Sequence, residues 1–189
     1  MVRYLISVGV ILMVIAVSAA IFIPEYWTHR YDDLIARQSR VYRLDEKLVW
    51  SLIYEETYFR AWMVGADNEV GLMQVTPLVA REWARETGLR EYERRAAENV
   101  NEFLSDPESN IQAGCWYLEK LREQYRGRPA ETALTLAAYN AGPSRVEEWT
   151  KDLGPDVSET EFIDHIGIAS TRAYVSQILD RYRSIQAQR

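Results

Sequence analysis

Glu55 and Glu56 are neighbours in the segment Leu48-Val49-Trp50-Ser51-Leu52-Ile53-Tyr54-Glu55-Glu56, yet a helix sends them in different directions. At about 100° per residue from Leu48, the positions Leu48, Leu52, Val49 and Ile53 centre an apolar face near about 70°, Glu56 falls at about 80° and Glu55 at about −20°. A carboxyl group aimed into apolar surroundings loses hydration in its charged form, so its pKa rises toward the range in which a protonated acid donates at neutral pH. Cleaving a glycosidic bond requires such a donor, because the leaving oxygen must be protonated. The ordinary alternative is a Glu at a helix end, solvated or paired with Arg60 four residues on. Helix projection leaves both readings open.

Other residues offer polar chemistry without a metal. In Gly71-Leu72-Met73-Gln74, Gly71 permits close backbone approach or a positive φ, Met73 packs in a cleft or in the core, and Gln74 carries both donor and acceptor for a sugar amide. Tyr139 and Asn140 end a helix just before Gly142-Pro143, where their polar ends can face a cleft; the alternatives are a core aromatic and a helix C-cap. A single cysteine, Cys115, excludes an intrachain disulfide and a Cys-rich zinc site, and two histidines, His29 and His165, argue against a His-based one, so no metal or cofactor is expected. Lys and Arg total 22 against 28 Asp and Glu, and the resulting net charge of −6 leaves no footprint for nucleic acid. The chemistry is left to carboxylates, amides, hydroxyls and aromatics.

The elements that must position these groups read as helices. Asp45 is a plausible N-cap for the helix of Leu48, Val49, Leu52 and Ile53, and Thr76-Pro77 is an N-cap with Pro at the first helical position, followed by Ala80, Trp83 and Ala84 and stopped by Gly88. Asp106-Pro107-Glu108 opens a helix lined by Ile111, Cys115, Leu118 and Leu121. Another runs from about Glu131 to the Asn140-Ala141-Gly142-Pro143 break, Ser144 caps a short one around Val146 and Trp149, and Tyr174, Val175, Ile178, Leu179 and Tyr182 define a last one after Thr171. With no alternating run for a strand, the expectation is an all-α domain of five to seven helices over residues 44–189.

Leu5 to Ile23 is a run of 19 residues without a charge. As a helix it measures about 28 Å, close to the ~30 Å of a bilayer's hydrocarbon core. Residues 1–24 are therefore expected to be a membrane anchor, with Tyr26-Trp27 at the interface, or else a signal peptide cleaved near Val17-Ser18-Ala19. Residues 25–43 are expected to be a juxtamembrane linker or helix. Arg30, Arg37, Arg40 and Arg43 lie after the run while only Arg3 precedes it, a charge count that argues mildly against export of the C-terminal side.

Together the motifs carry a resemblance. Glu56-Thr57-Tyr58-Phe59, Gly71-Leu72-Met73-Gln74-Val75-Thr76-Pro77, Asp106-Pro107-Glu108-Ser109-Asn110-Ile111 with Gly114, Tyr117 and Leu118, Ala138-Tyr139-Asn140-Ala141-Gly142-Pro143, and Tyr174-Val175 resemble, in order and spacing over about residues 41–183, the motifs of the family 1 lytic transglycosylases. This is the SLT domain, related in fold to goose-type lysozyme. The resemblance selects Glu56, the acid that projection places on the apolar face. It implies that Glu56 acts as general acid on the bond between N-acetylmuramic acid and N-acetylglucosamine, and then as general base on the muramoyl C6 hydroxyl, leaving a 1,6-anhydro end. No carboxylate nucleophile is implied; the acetamido group of the sugar assists. Thr57, Met73, Gln74, Tyr139, Asn140 and Tyr174 are implied to line the substrate cleft. Peptidoglycan strands are the implied partner, and such a substrate puts the domain outside the cytoplasmic membrane, in the periplasm, against the charge count.

The sequence departs from the family pattern in places. Thr57 stands where Ser is usual, Gly65 where Ser is usual, and Asn68-Glu69 where Gly-Ala is usual; Asn can adopt the left-handed conformation the Gly would supply. Near the C-terminus, Gly167 and Ser170 replace a Pro and a Glu. Two rival readings stand beside the transglycosylase: a hydrolytic, lysozyme-like muramidase, and a non-catalytic glycan-binding or envelope module.

Overall fold

The computed structural model describes residues 2–88 and 90–188, whose regular elements are all helices joined by loops; the side chains of residues 2–10, 19, 21 and 24 lie outside that description. Helix α1 spans Val2–His29 and α2 Asp32–Val41. Residues 1–33 form one unit and residues 34–189 a second.

In the first unit, Ile11, Leu12, Met13, Val14, Ile15, Val17, Phe22 and Ile23 of α1 are all exposed, and the Arg30 guanidinium lies 3.5 Å from the centre of the Trp27 ring. Among the described residues no helix is long and apolar enough to cross a membrane. The expected span begins at Leu5, so its opening side chains, with those of Ala19 and Ile21, fall outside the described residues.

The second unit begins within α2. Of the segment expected to be a linker or helix, Asp32–Val41 forms a helix that buries Ile35, Gln38 and Ser39. After it come α3 (Glu46–Thr57), α4 (Pro77–Thr87), α5 (Arg90–Glu98), α6 (Val100–Ser105), α7 (Pro107–Gln124), α8 (Glu131–Ala141), α9 (Pro143–Thr150), α10 (Glu159–His165) and α11 (Ala169–Ala187). These nine exceed the expected five to seven because α5, α6 and α10 are short and bury one or two residues each.

The two caps predicted at Asp45 and Thr76 form, and Asp106 caps the helix expected to open there. The Asp45 carboxylate accepts from the Lys47 amide at 2.8 Å, Thr76 Oγ1 accepts from Val79, and Asp106 Oδ2 accepts from Ser109 at 3.0 Å. Gly88 closes α4 at φ +66°. Two boundaries differ from expectation. Pro143 itself starts α9, with Gly142 as the flanking residue and no side-chain cap, so Ser144 is not the cap. Helix α11 begins at Ala169, which places Thr171 inside it. Tyr182 does not join the buried stripe; it is half-buried and its hydroxyl donates to Asp45 at 2.8 Å.

Helix α8 packs against α7, α9, α10 and α11, and buries every residue from Ala133 to Ala138. A helix apolar on all sides belongs at the centre of a bundle, and three of these six residues are alanines, which let neighbouring helices approach closely. Helix α3 packs on α11. The carboxyl ends of α3 and α8 and the first half of α11 carry Glu56, Tyr139 and Tyr174, and the loop from Tyr58 to Thr76 connects α3 to α4.

Candidate active site

Apolar packing sets the position of Glu56. Leu48, Val49, Leu52 and Ile53 are buried along α3, and Glu56 continues that face one turn later. The chain turns away directly afterwards: Tyr58 and Phe59 both take positive φ, +50° and +60°, and the fully buried Phe59 ring sits 5.1 Å from the ring of Trp50. Two successive non-glycine residues in the left-handed region are costly and persist only where packing holds them.

Glu56 accepts a hydrogen bond of 2.6 Å from the Tyr174 hydroxyl. Burial is the main influence on it and raises its pKa from the ordinary 4.5 to about 7; the Tyr174 hydrogen bond opposes the rise, and the charges of Glu69 and Glu55 add to it. A carboxyl group so placed is divided between its two protonation states at neutral pH, so it can give a proton and take one back. Burial also pushes the Tyr139 and Tyr174 phenols well above their ordinary range, and the neighbouring Glu56 charge reinforces this, so both remain donors. Glu55 is held otherwise: its carboxylate binds Arg181 at 2.9 Å, and that guanidinium lies 3.9 Å from the centre of the Tyr54 ring. The i+4 partner considered for Glu56 points elsewhere, since Arg60 Nε donates to the Thr57 carbonyl at 2.7 Å.

The Tyr174→Phe substitution tests this electrostatic account. The hydrogen bond favours the carboxylate, so its loss raises the Glu56 pKa, and the alkaline limb of a pH-rate profile governed by protonated Glu56 moves to higher pH. A limb that stays in place or moves down contradicts the assignment.

The Tyr58–Thr76 loop forms the other wall. It is held by two isolated bridges, Val64 to Val70 and Val70 to Val75, and by Asn110 of α7. The wholly buried Asn110 side chain accepts from the Met73 amide at 2.8 Å and donates to the carbonyls of Val70 at 2.7 Å and Leu104 at 2.9 Å. Sequence reading did not single out this scaffolding role. The signal for it is an Asn inside an apolar helix, where it is unfavourable unless its amide has such partners.

The expected cleft residues fall into two groups. Tyr139, Tyr174 and Glu56 come together from α8, α11 and α3; the Tyr139 hydroxyl donates to the Met73 carbonyl at 2.7 Å. Asn140 is exposed on the last turn of α8 and is not a cap; its Oδ1 accepts from Thr171 at 2.7 Å. Gln74, at φ +45°, is half-buried and donates to the carbonyls of Gly71 at 2.9 Å and Met63 at 3.3 Å, so its amide nitrogen braces its own loop.

Thr57 and Met73 lie beneath the surface expected of them. Thr57 is 1% exposed and its hydroxyl is used on the carbonyls of Leu72 and Ile53. Met73 is fully buried, with its sulfur 2.5 Å from where a Cβ on Gly114 would stand. What Met73 turns toward the site is its carbonyl. Met73 lies in a loop, which has no periodicity to reveal its facing, and Thr57 is the last residue of α3.

The departures also acquire physical reasons. Asn68 takes φ +62°, supplying the left-handed turn. A Cβ on Gly167 would stand 2.8 Å from Trp149 Nε1, so the missing side chain gives room to the indole. A Cβ on Gly65 would collide with the Glu69 carboxylate. Nothing in the structure explains Ser170.

Comparison with known proteins identifies the family and the fold. The family model described as "Transglycosylase SLT domain" matches residues 33–156. The soluble lytic murein transglycosylase of Salmonella typhimurium is 26% identical over 157 residues, covering 83% of this chain and 23% of that protein. The membrane-bound lytic murein transglycosylase C of Mannheimia succiniciproducens is 31% identical over 121 residues, covering 62% and 32%. The solved 70 kDa soluble lytic transglycosylase of Escherichia coli superposes with a TM-score of 0.71 at 26% identity, over 82% of this chain and 24% of that one. The chain thus spans about a quarter to a third of the length of these relatives. With its helical fold and a match covering well over half of its residues, the chain belongs to the transglycosylase SLT domain family.

Proposed function

We propose that the protein is a peptidoglycan lytic transglycosylase that cleaves the β-1,4 bond between N-acetylmuramic acid and N-acetylglucosamine, with Glu56 as its acid and base. The observation that carries this reading is the half-buried Glu56 carboxyl, raised to a pKa of about 7 while hydrogen-bonded to Tyr174. Protonated Glu56 gives its proton to the glycosidic oxygen as the bond from muramoyl C1 to that oxygen breaks, and the acetamido carbonyl oxygen of the same sugar bonds to C1. The Glu56 carboxylate then removes the proton of the C6 hydroxyl. The C6 oxygen bonds to C1, the bond from the acetamido oxygen to C1 breaks, and the acid is restored. Water is not consumed.

Tyr174 and Tyr139 flank the acid, Tyr174 holding its carboxylate and Tyr139 tethering the Met73 carbonyl at the wall of the cleft. In this reading Asn140 and Gln74 offer polar groups to an incoming acetamido or hydroxyl group. Thr57 and Met73 support the cleft from below. The apolar run Leu5–Ile23 is the membrane anchor of this reading, with residues 44–189 as the catalytic domain in the cell envelope. The names of the soluble and membrane-bound murein transglycosylases that the chain resembles support the substrate.

Incubating the full chain in detergent micelles with isolated sacculi tests the proposal. Mass spectrometry of the released muropeptides is expected to find muramoyl ends lighter by one water than reducing ends. Products with reducing ends would instead identify a muramidase, and binding to sacculi without soluble products would identify a glycan-binding module.

A further inference from the structure

Thr171 lies in the first turn of α11 and is 2% exposed, so its hydroxyl has little access to water. Its hydrogen-bond partner among the described residues is the side chain of Asn140, 2.7 Å away on the last turn of α8. A buried hydroxyl needs an acceptor for its proton, and a carboxamide accepts only at its oxygen. Thr171 therefore donates to Asn140 Oδ1, and this bond fixes the sense of the amide. The oxygen is held inward and the Nδ2 donors are left to face outward from an exposed residue. Gln74 is committed in the opposite sense, since its Nε2 is spent on the carbonyls of Gly71 and Met63 and its remaining polar group is Oε1.

Both helices carry this pair to the proposed acid. On α11, Tyr174 follows Thr171 by three residues, a spacing that puts the two on one face with Cβ atoms about 5–6 Å apart, and the Tyr174 hydroxyl holds Glu56 at 2.6 Å. On α8, Asn140 adjoins Tyr139, whose hydroxyl ends on the Met73 carbonyl at the loop wall. We infer that Thr171 is a positioning residue: by holding the oxygen of Asn140 it makes that side chain a donor-only group beside the acid, suited to an acceptor oxygen of the glycan such as the carbonyl of an N-acetyl group. The inference rests on the reading of the protein as an enzyme acting on such a glycan. An amide free to turn would offer either end and spend part of its time with the wrong one forward. Thr171 removes that choice before substrate arrives, so the ordering cost is met by the fold instead of by binding.

The test uses the full chain in detergent, with isolated sacculi as substrate and each variant assayed at the top of its own pH profile. Thr171→Val keeps the shape of the side chain and removes its hydroxyl; apparent kcat/KM is expected to fall about tenfold, the scale of one hydrogen bond. Thr171→Ser restores the hydroxyl and is expected to stay within about threefold of wild type on the same scale. Asn140→Ala is expected to lose at least as much as Thr171→Val, and the double variant no more than Asn140→Ala, because Thr171 acts through Asn140. Asn140→Asp keeps the oxygen that Thr171 holds but exchanges the donor for a second acceptor, so it is expected to be no better than Asn140→Ala. Wild-type activity in Thr171→Val or in Asn140→Asp, or losses that multiply in the double variant, overturns the inference. Nitrogen-15 relaxation of the Asn140 side-chain amide gives a reading without catalysis: ordered in wild type and in Thr171→Ser, mobile in Thr171→Val. An inactive wild type would sink the proposed function, whereas an Asn140 amide equally ordered in Thr171→Val would refute the positioning role whether or not the protein cleaves glycan.

Discussion

Glu56→Gln is expected to release no soluble muropeptides from sacculi while folding more stably than wild type in alkaline buffer. Glutamine keeps the volume and accepts the Tyr174 hydrogen bond, but it neither donates a proton to a leaving oxygen nor removes one from a hydroxyl. Loss of a group serving both steps is expected to lower the rate by about 10³-fold or more. The stability effect has the opposite sign. The pKa of Glu56 is raised in the folded protein, so the native state binds more protons than the unfolded chain between about 4.5 and 7. The acid's contribution is fully present below the unfolded value and is lost as pH rises through about 7. At pH 8 the folded wild type holds a desolvated carboxylate, a penalty of up to about 3 kcal/mol that a neutral amide avoids. Thermal melts at pH 4 and pH 8 should therefore show the variant gaining on wild type only at the higher pH. Wild-type cleavage by Glu56→Gln would remove this residue from the mechanism, and equal relative stability at both pH values would show that its carboxyl is not desolvated.

Gly71→Ala is expected to be the most damaging of these changes to the fold, although it adds one methyl group. Gly71 sits at φ +78°, a conformation that costs an L-residue about 1 kcal/mol. The added Cβ would also collide with the Asn110 amide nitrogen and the Leu104 carbonyl oxygen, and would lie 2.8 Å from Asn110 Cγ. Neither obstacle is a flexible chain end. Asn110 can withdraw only by abandoning the Met73 amide and the Val70 and Leu104 carbonyls, and buried polar groups left without partners cost about 1–3 kcal/mol each. The expected loss is at least about 4 kcal/mol, a large share of a domain's 5–15 kcal/mol. Urea unfolding of the two full-length proteins measures it as a shift in midpoint. A midpoint unchanged within error would show that the loop relaxes without losing its attachment to α7.

The sequence made the acid legible because a helix converts spacing into direction. Glu56 reads as facing inward and lies on that face beside Tyr174, and Asp45, Thr76 and Asp106 cap their helices because capping is decided within a few residues. The loop was less legible. Gly71-Leu72-Met73-Gln74 was recognised as a unit, but Met73 and Thr57 turn into the core, and Gln74 spends its donor on the loop itself. Met73 is held by Asn110, which is 37 residues away and linked to it only through tertiary packing. Helices α5, α6 and α10 escaped notice for a related reason: elements that bury one or two residues leave no apolar stripe to count.

The seat that Gly114 makes for Met73 gives the site wall a chemical clock. The thioether is sealed between the loop and α7, so peroxide reaches the sulfur only in molecules whose loop has lifted away. Formation of the sulfoxide at Met73 is therefore expected to follow openings of the Tyr58–Thr76 loop. Because the polar product no longer suits an apolar seat, each oxidation also hinders the loop from closing again. A loop seated on a buried methionine would thus carry a lasting mark of each opening under peroxide.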